Sequence, residues 1–303
     1  MRKILVGLSV FQIFGLLCGT VYAESSAQYP SAGTSSTLSR AWERIRRDIS
    51  GSHTIWLIGP NTQALSGNKD GSGTNLTIIH YPSIGYRLGS KWKVSVTQPF
   101  NQVIDENPKS SQFGFTEPYI NFSNSRILHS DIYGAHLSGA IRYYFPVAKS
   151  SYSAVNTGSP RDAGHGSVRI ALMPSKSFLD GSLKLAFTGL FLYRFNKNSP
   201  AQRLAKGGPD YREDFYFLVT PNLAYEINSD LEVYAEYATG YIRHTTNGKF
   251  SKLNDPDYGQ WISVGTNHQI GKRLSLNPYL SVGPVFRGIK NTDIGLLGTY
   301  AFL

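Results

Sequence analysis

The sequence predicts an all-β chain: a transmembrane, antiparallel, up-and-down β-barrel of about twelve strands, with a short N-terminal helix. Three observations carry this. From His53 onward, apolar and polar residues alternate with period two nearly everywhere. The apolar face of the alternation is long, often ten or so residues of strand, and charges almost never break it. The connections alternate between tight turns and long polar loops.

Met1-Arg2-Lys3 is a basic head, Ile4 to Val21 is mostly apolar, and a small-residue cleavage site ends at Ala23. Residues 1–23 read as a secretory signal peptide, with the mature chain starting at Glu24. The mean hydropathy of −0.23 excludes a bundle of membrane helices. The single cysteine, Cys18, lies in the leader behind Leu16 and Leu17, which do not make a lipidation site. A mature chain without cysteine excludes disulfides, thiolate metal sites and cysteine nucleophiles.

Residues 24–51 form an N-terminal segment. A Ser/Ala/Gly/Thr-rich stretch from Glu24 to Thr37 precedes Leu38, Trp42, Ile45 and Ile49, which recur at helical spacing. Arg40, Arg44, Arg46 and Arg47 cover the rest of that helix. The narrow apolar stripe favours packing against a larger body over lying on a membrane surface.

Residues 52–303 form the barrel. Strands are expected at about 52–60, 74–88, 91–104, 113–124, 131–147, 164–175, 181–196, 211–228, 231–245, 258–270, 273–287 and 291–303. Tight links such as "LGSK" at 88–91, "NSD" at 228–230 and "IGKR" at 270–273 alternate with long ones such as "AKSSYSAVNTGSPRDAG". A meander with its turns at one end and its loops at the other produces this asymmetry.

The faces of the strands differ in kind. From Phe215 to Ile227, the odd positions are Phe215, Phe217, Val219, Pro221, Leu223, Tyr225 and Ile227, and Glu226 lies on the other face. Leu183 to Phe195 and Leu274 to Phe286 repeat the pattern. A soluble sandwich also alternates. A long uncharged face edged by aromatics instead meets the demands of a lipid-facing wall around a polar interior. Closure then satisfies every backbone group in hydrocarbon.

With its leader, even strand number, loop alternation and final strand "DIGLLGTYAFL", the chain resembles the bacterial outer-membrane β-barrel proteins. Ile294, Leu296, Gly298, Tyr300 and Phe302 share one face of that last strand, and Leu303 follows the terminal aromatic where the pattern ends on it. The resemblance implies a Gram-negative outer-membrane location, export through the cleaved leader, and periplasmic termini. It also implies contact with outer-membrane lipid and lipopolysaccharide, and insertion by the barrel-assembly machinery. It does not give function.

Parity places Arg87, Lys93, Arg142, Arg169, Lys184, Arg194, Arg273 and Arg287 inside, against Glu226, Glu232 and Glu236. A net positive lumen concentrates anions between low-dielectric walls. The expectation is a porin-like channel for passive diffusion of small polar, preferably anionic, solutes. No cofactor is implied. The alternative is a closed structural or adhesive barrel working through its loops, because about twelve strands lie between a filled and an open interior. The inward aromatics Trp56, Tyr81, Tyr144, Tyr216, Tyr234 and Tyr279 suit either packing or a stacking track.

A lipid-modifying enzyme is the less favoured reading. Its candidates are His129-Ser130-Asp131, on an expected turn, and His80, which parity puts on the lipid face. The loop segments "DPD" at 255–257 and "PRD" at 160–162 are very weak cation candidates. The dispersed basic residues and export argue against nucleic acid as a partner.

Overall fold

The strand pairings close on themselves. The computed structural model describes residues 48–59, 76–104, 112–130, 134–145, 166–195, 213–244, 250–252, 261–282 and 292–302. Its strands are β1 (Ile49–Ile58), β2 (Leu76–Leu88), β3 (Trp92–Thr97), β4 (Phe100–Ile104), β5 (Gln112–Phe115), β6 (Tyr119–Ser130), β7 (Ala135–Tyr144) and β8 (Ser167–Phe178). They continue as β9 (Leu183–Arg194), β10 (Glu213–Asn228), β11 (Leu231–His244), β12 (Phe250–Lys252), β13 (Trp261–Ile270), β14 (Leu274–Val282) and β15 (Thr292–Ala301).

All pairings are antiparallel, and each wall strand pairs with its sequence neighbours. The ring closes where β1 pairs both β2 and β15, from Ser52 opposite Ala301 to Ile58 opposite Gly295. The wall has twelve strands. Two of them are each built from two segments, β3 with β4 and β5 with β6, and β12 is a short ribbon on β11.

The two breaks have a common cause. Pro99 has no N–H to give the ladder, so β3 and β4 separate there although both keep one register against β2. On the neighbouring strand, residues 116–118 slip the register by one between β5 and β6. Gln98 bridges the gap with its side-chain amide, donating to the carbonyls of Pro99 and Thr116 at 3.0 Å each.

Several boundaries differ from the expectation. The strands expected at 91–104 and 113–124 are the two broken ones. β6 runs on to Ser130 through a bulge after Asn124, whose side chain accepts from the Arg126 amide at 2.8 Å. His129 and Ser130 therefore lie in a strand rather than a turn, because the bulge hides the continuing alternation. β1 starts at Ile49, three residues before the expected boundary at 52, so Ile49 is strand and not the last helical residue. The rest of the expected helix, 38–47, the leader and Leu303 lie outside the described residues.

The faces sort as the alternation requires. Outward positions are exposed and apolar: Val96 is 55% exposed, Ile141 53%, Leu223 49%, Ile227 54% and Ile294 50%. The buried apolar residues Ile79, Val103, Tyr119, Ala171 and Ala224 all point inward. This is the reverse of a soluble protein, and an outer wall this apolar is at ease only against hydrocarbon.

Candidate functional site: the barrel lumen

Period-two geometry lets one strand serve two solvents, and the inner rows carry the polar chemistry. In β2 and β3, Arg87 stands directly opposite Lys93. In β7 and β8, Arg142 stands directly opposite Arg169. Lys184 of β9 faces Ser177 and Ala224. Position 194 shares the inward parity opposite Ser167, though the Arg194 side chain lies outside the described residues. Arg273 sits in the turn before β14, where its carbonyl accepts from Ala301. Arg287 lies outside the described residues.

The acids stand elsewhere. Glu226 of β10 is opposite Glu232 of β11. Glu236 of β11 is opposite Asn222, whose side chain hydrogen-bonds it. Asp293 of β15 pairs with Ser281 on the inner face, close enough to act on the Tyr279 phenol. Alternation already put Asp293 inside, beside the outward Ile294, but the count of lumen charges overlooked it.

Strand order turns this list into a map. Every inward Lys or Arg within a described strand belongs to the arc from β2 to β9. Among the described side chains, every inward Glu within a strand belongs to β10 or β11, and the inward Asp within a strand to β15. The two arcs face each other across the bore.

On the acidic arc the polar groups form a chain. Trp56 donates its indole N–H to the Tyr279 hydroxyl at 2.6 Å. Tyr234 donates to Asn277 at 2.9 Å, Asn277 to Asn267 at 2.5 Å, and Asn267 to Glu232 at 2.6 Å. Thr54 and Thr299 share a hydrogen bond of 2.9 Å across the closing seam. The inward tyrosines and Trp56 are thus wall-bracing groups here. The Tyr216 side chain lies outside the described residues.

On the basic arc, Arg142 lies over the Tyr119 ring, 4.0 Å from its centroid, and donates to the Tyr144 hydroxyl at 3.2 Å and to Asn121 at 3.4 Å. The polar groups around Arg169 are Tyr144, Arg142, Tyr119 and Tyr81. Tyr81 is four wall strands away along the ring, yet near enough to act electrostatically on Arg169. None of these partners is a carboxylate. Like charges directly opposite on a ladder repel. Tyrosine faces and a hydroxyl hold the Arg142 guanidinium in place but do not neutralise it.

His80 is on the outer face, as alternation requires. Its imidazole lies 3.2 Å from that of His53 and stacks on Phe100 with 4.3 Å between ring centroids. The neighbouring serines Ser83 and Ser95 point inward, so no serine meets His80 among the described residues. His129 pairs with His136 at the short-turn end, 3.4 Å apart, and Asp131 lies outside the described residues. The segments 160–162 and 255–257 also lie outside them.

No family model and no curated protein matches the sequence. Solved structures do match the fold. An outer membrane channel from Pseudomonas putida F1 is similar with a TM-score of 0.52 and 10% identity, over 84% of this chain and 95% of that one. The fold is that of a bacterial outer-membrane β-barrel. The KdgM porin in complex with disordered oligogalacturonate gives a TM-score of 0.43 at 10% identity, over 83% and 98% of the two chains. Outer membrane phospholipase A from Escherichia coli gives 0.34 at 11%, over 84% and 91%.

Proposed function

We propose that the protein is an outer-membrane channel for passive diffusion of small polar solutes, with a preference for anions. The observation that carries this is the Arg142–Arg169 pair. Two guanidiniums face each other in the lumen with tyrosines and an asparagine as partners, and the basic arc around them holds no inward carboxylate in its described strands. Such an arc lowers the energy of an anion passing along it. The similarly folded channel from Pseudomonas putida supports a conducting barrel. The reading includes export through residues 1–23, insertion by the barrel-assembly machinery, contact with lipopolysaccharide, and no enzymatic activity.

One observation favours the narrower reading, a closed barrel acting through its loops. Inward-facing Asn101 is only 3% exposed, and Val103 7%, so that corner of the lumen is filled rather than wet. Single-channel current in planar bilayers, with reversal potential under a salt gradient, separates the two. Discrete steps with anion preference support the channel. An absence of steps from folded, heat-modifiable protein rejects it in favour of the closed barrel.

A further inference from the structure

One sector of the outer wall is not built for lipid. Three outward rows cross β1, β2 and the strand formed by β3 and β4. The first holds His53, Pro82 and Gln98; the second Ile55, His80 and Phe100; the third Leu57, Ile78 and Gln102. Four of these side chains are polar. Along the strand from Trp92 at the short-turn end they run from about 20 Å, at the level of His53 and Gln98, to about 33 Å at Gln102. The exposed apolar residues Phe113, beside Gln102, and Ile104, beyond it, continue the lipid wall there. Among the described residues, Thr239, Thr266, Lys176 and His268 are also outward. A threonine hydroxyl can bond its own backbone, and Lys176 and His268 lie close to short turns, where a side chain reaches the headgroups.

Acyl chains offer these groups no hydrogen-bond partner, and polar side chains inside a membrane mark functional contacts. His53 and His80 satisfy one nitrogen each with one another. Gln98 spends its amide N–H groups on the ladder break. Gln102 is exposed, and no described residue bonds its amide.

The chemistry of the patch selects its occupant. No Lys or Arg stands at an outward position of β1, β2, β3 or β4, so an anionic lipid headgroup finds no counter-charge there. Neutral imidazole and carboxamide each carry both donor and acceptor. Such a patch is complementary to itself, as a two-fold contact requires. We infer that this wall, centred on His80 and Gln102, is covered in the membrane by the same wall of a second copy of the chain. The inference needs the barrel to stand in a membrane and is independent of what passes through the bore.

Cross-linking of the full-length chain in its membrane tests it. Cys18 is the sole cysteine and lies in the expected leader, so an introduced cysteine reports alone. Gln102→Cys is compared with Leu223→Cys, an outward position of 49% exposure on the distant β10. Under a membrane-soluble oxidant, Gln102→Cys is expected to give covalent dimer at least about tenfold in excess of the control. Photobleaching of single labelled barrels in vesicles adds a second readout. The native chain should bleach in two steps. The His80→Leu, Gln102→Leu double variant should fall to one, and both changes make the wall more apolar, so the barrel itself is not put at risk. Equal cross-linking at both sites, one-step bleaching of the native chain, or a cross-link to some other protein overturns the inference.

Discussion

Replacing Arg142 and Arg169 together by glutamine isolates the basic arc, because the amide keeps length and polarity while removing charge. An ion passing about 6 Å from each guanidinium feels ~0.7 kcal/mol per unit charge in water, and screening at 0.1 M salt lowers this to ~0.4 kcal/mol. The pair therefore favours an anion by ~0.8 kcal/mol and disfavours a cation equally. The permeability ratio of anion to cation carries both effects, ~1.5 kcal/mol in all, so the double variant should lower it about tenfold. At 1 M salt the Debye length contracts to about 3 Å and most of that difference should vanish. Reversal potentials across a salt gradient, taken at both ionic strengths with the native protein beside the variant, give the ratio directly. Unitary conductance and heat-modifiable mobility show whether the barrel is intact. An unchanged ratio in intact double-variant channels refutes the arc as the source of selectivity. A change that persists undiminished at 1 M salt refutes the screened-charge account.

Other outcomes follow from the same geometry. Glu236→Gln, on the opposite arc, should raise anion preference by about fourfold by the same estimate, and a fall would show that the arcs do not act on one path. Trp56→Phe removes the 2.6 Å bond to Tyr279 and should lower barrel stability by about 1 kcal/mol in a urea titration of vesicle-inserted protein. Gln98→Leu takes the side-chain donor from the Thr116 carbonyl, while the Pro99 carbonyl keeps the Thr116 amide, for a loss of about 1–3 kcal/mol by the same titration. A water-soluble maleimide should label Asn222→Cys and not Leu223→Cys; the opposite pattern would invert the faces of β10.

What the sequence made legible is what depends on local alternation. The outward run from Phe215 to Ile227, the outward His80 and the inward Arg142 all follow from counting by twos within an unbroken strand. Where a strand is broken, counting fails. Pro99 and Pro118 are visible as breakers, but the one-residue slip at 116–118 is a property of two strands in register and has no signature in either alone. The bulge after Asn124 likewise made β6 seem to end six residues early. The separation of the lumen charges into two arcs was within reach, since strand order in an up-and-down barrel follows chain order. Summing the signs concealed it, because a net charge has no direction.

The closing seam bears on when the protein becomes a barrel. Thr54 and Thr299, hydrogen-bonded across it, are 245 residues apart in the chain. Every other strand pairing in the wall joins neighbours along the chain, a hairpin or a loop apart, so the meander can zip from neighbour to neighbour before the ring is closed. Joining β1 to β15 waits for the last segment to arrive. Until then the growing sheet carries two bare edges, each a template for the wrong partner. A chain ending before Thr292 would keep β14 as a permanent edge. Its fate would be set by whatever captures that edge first, however well the rest of the wall had formed.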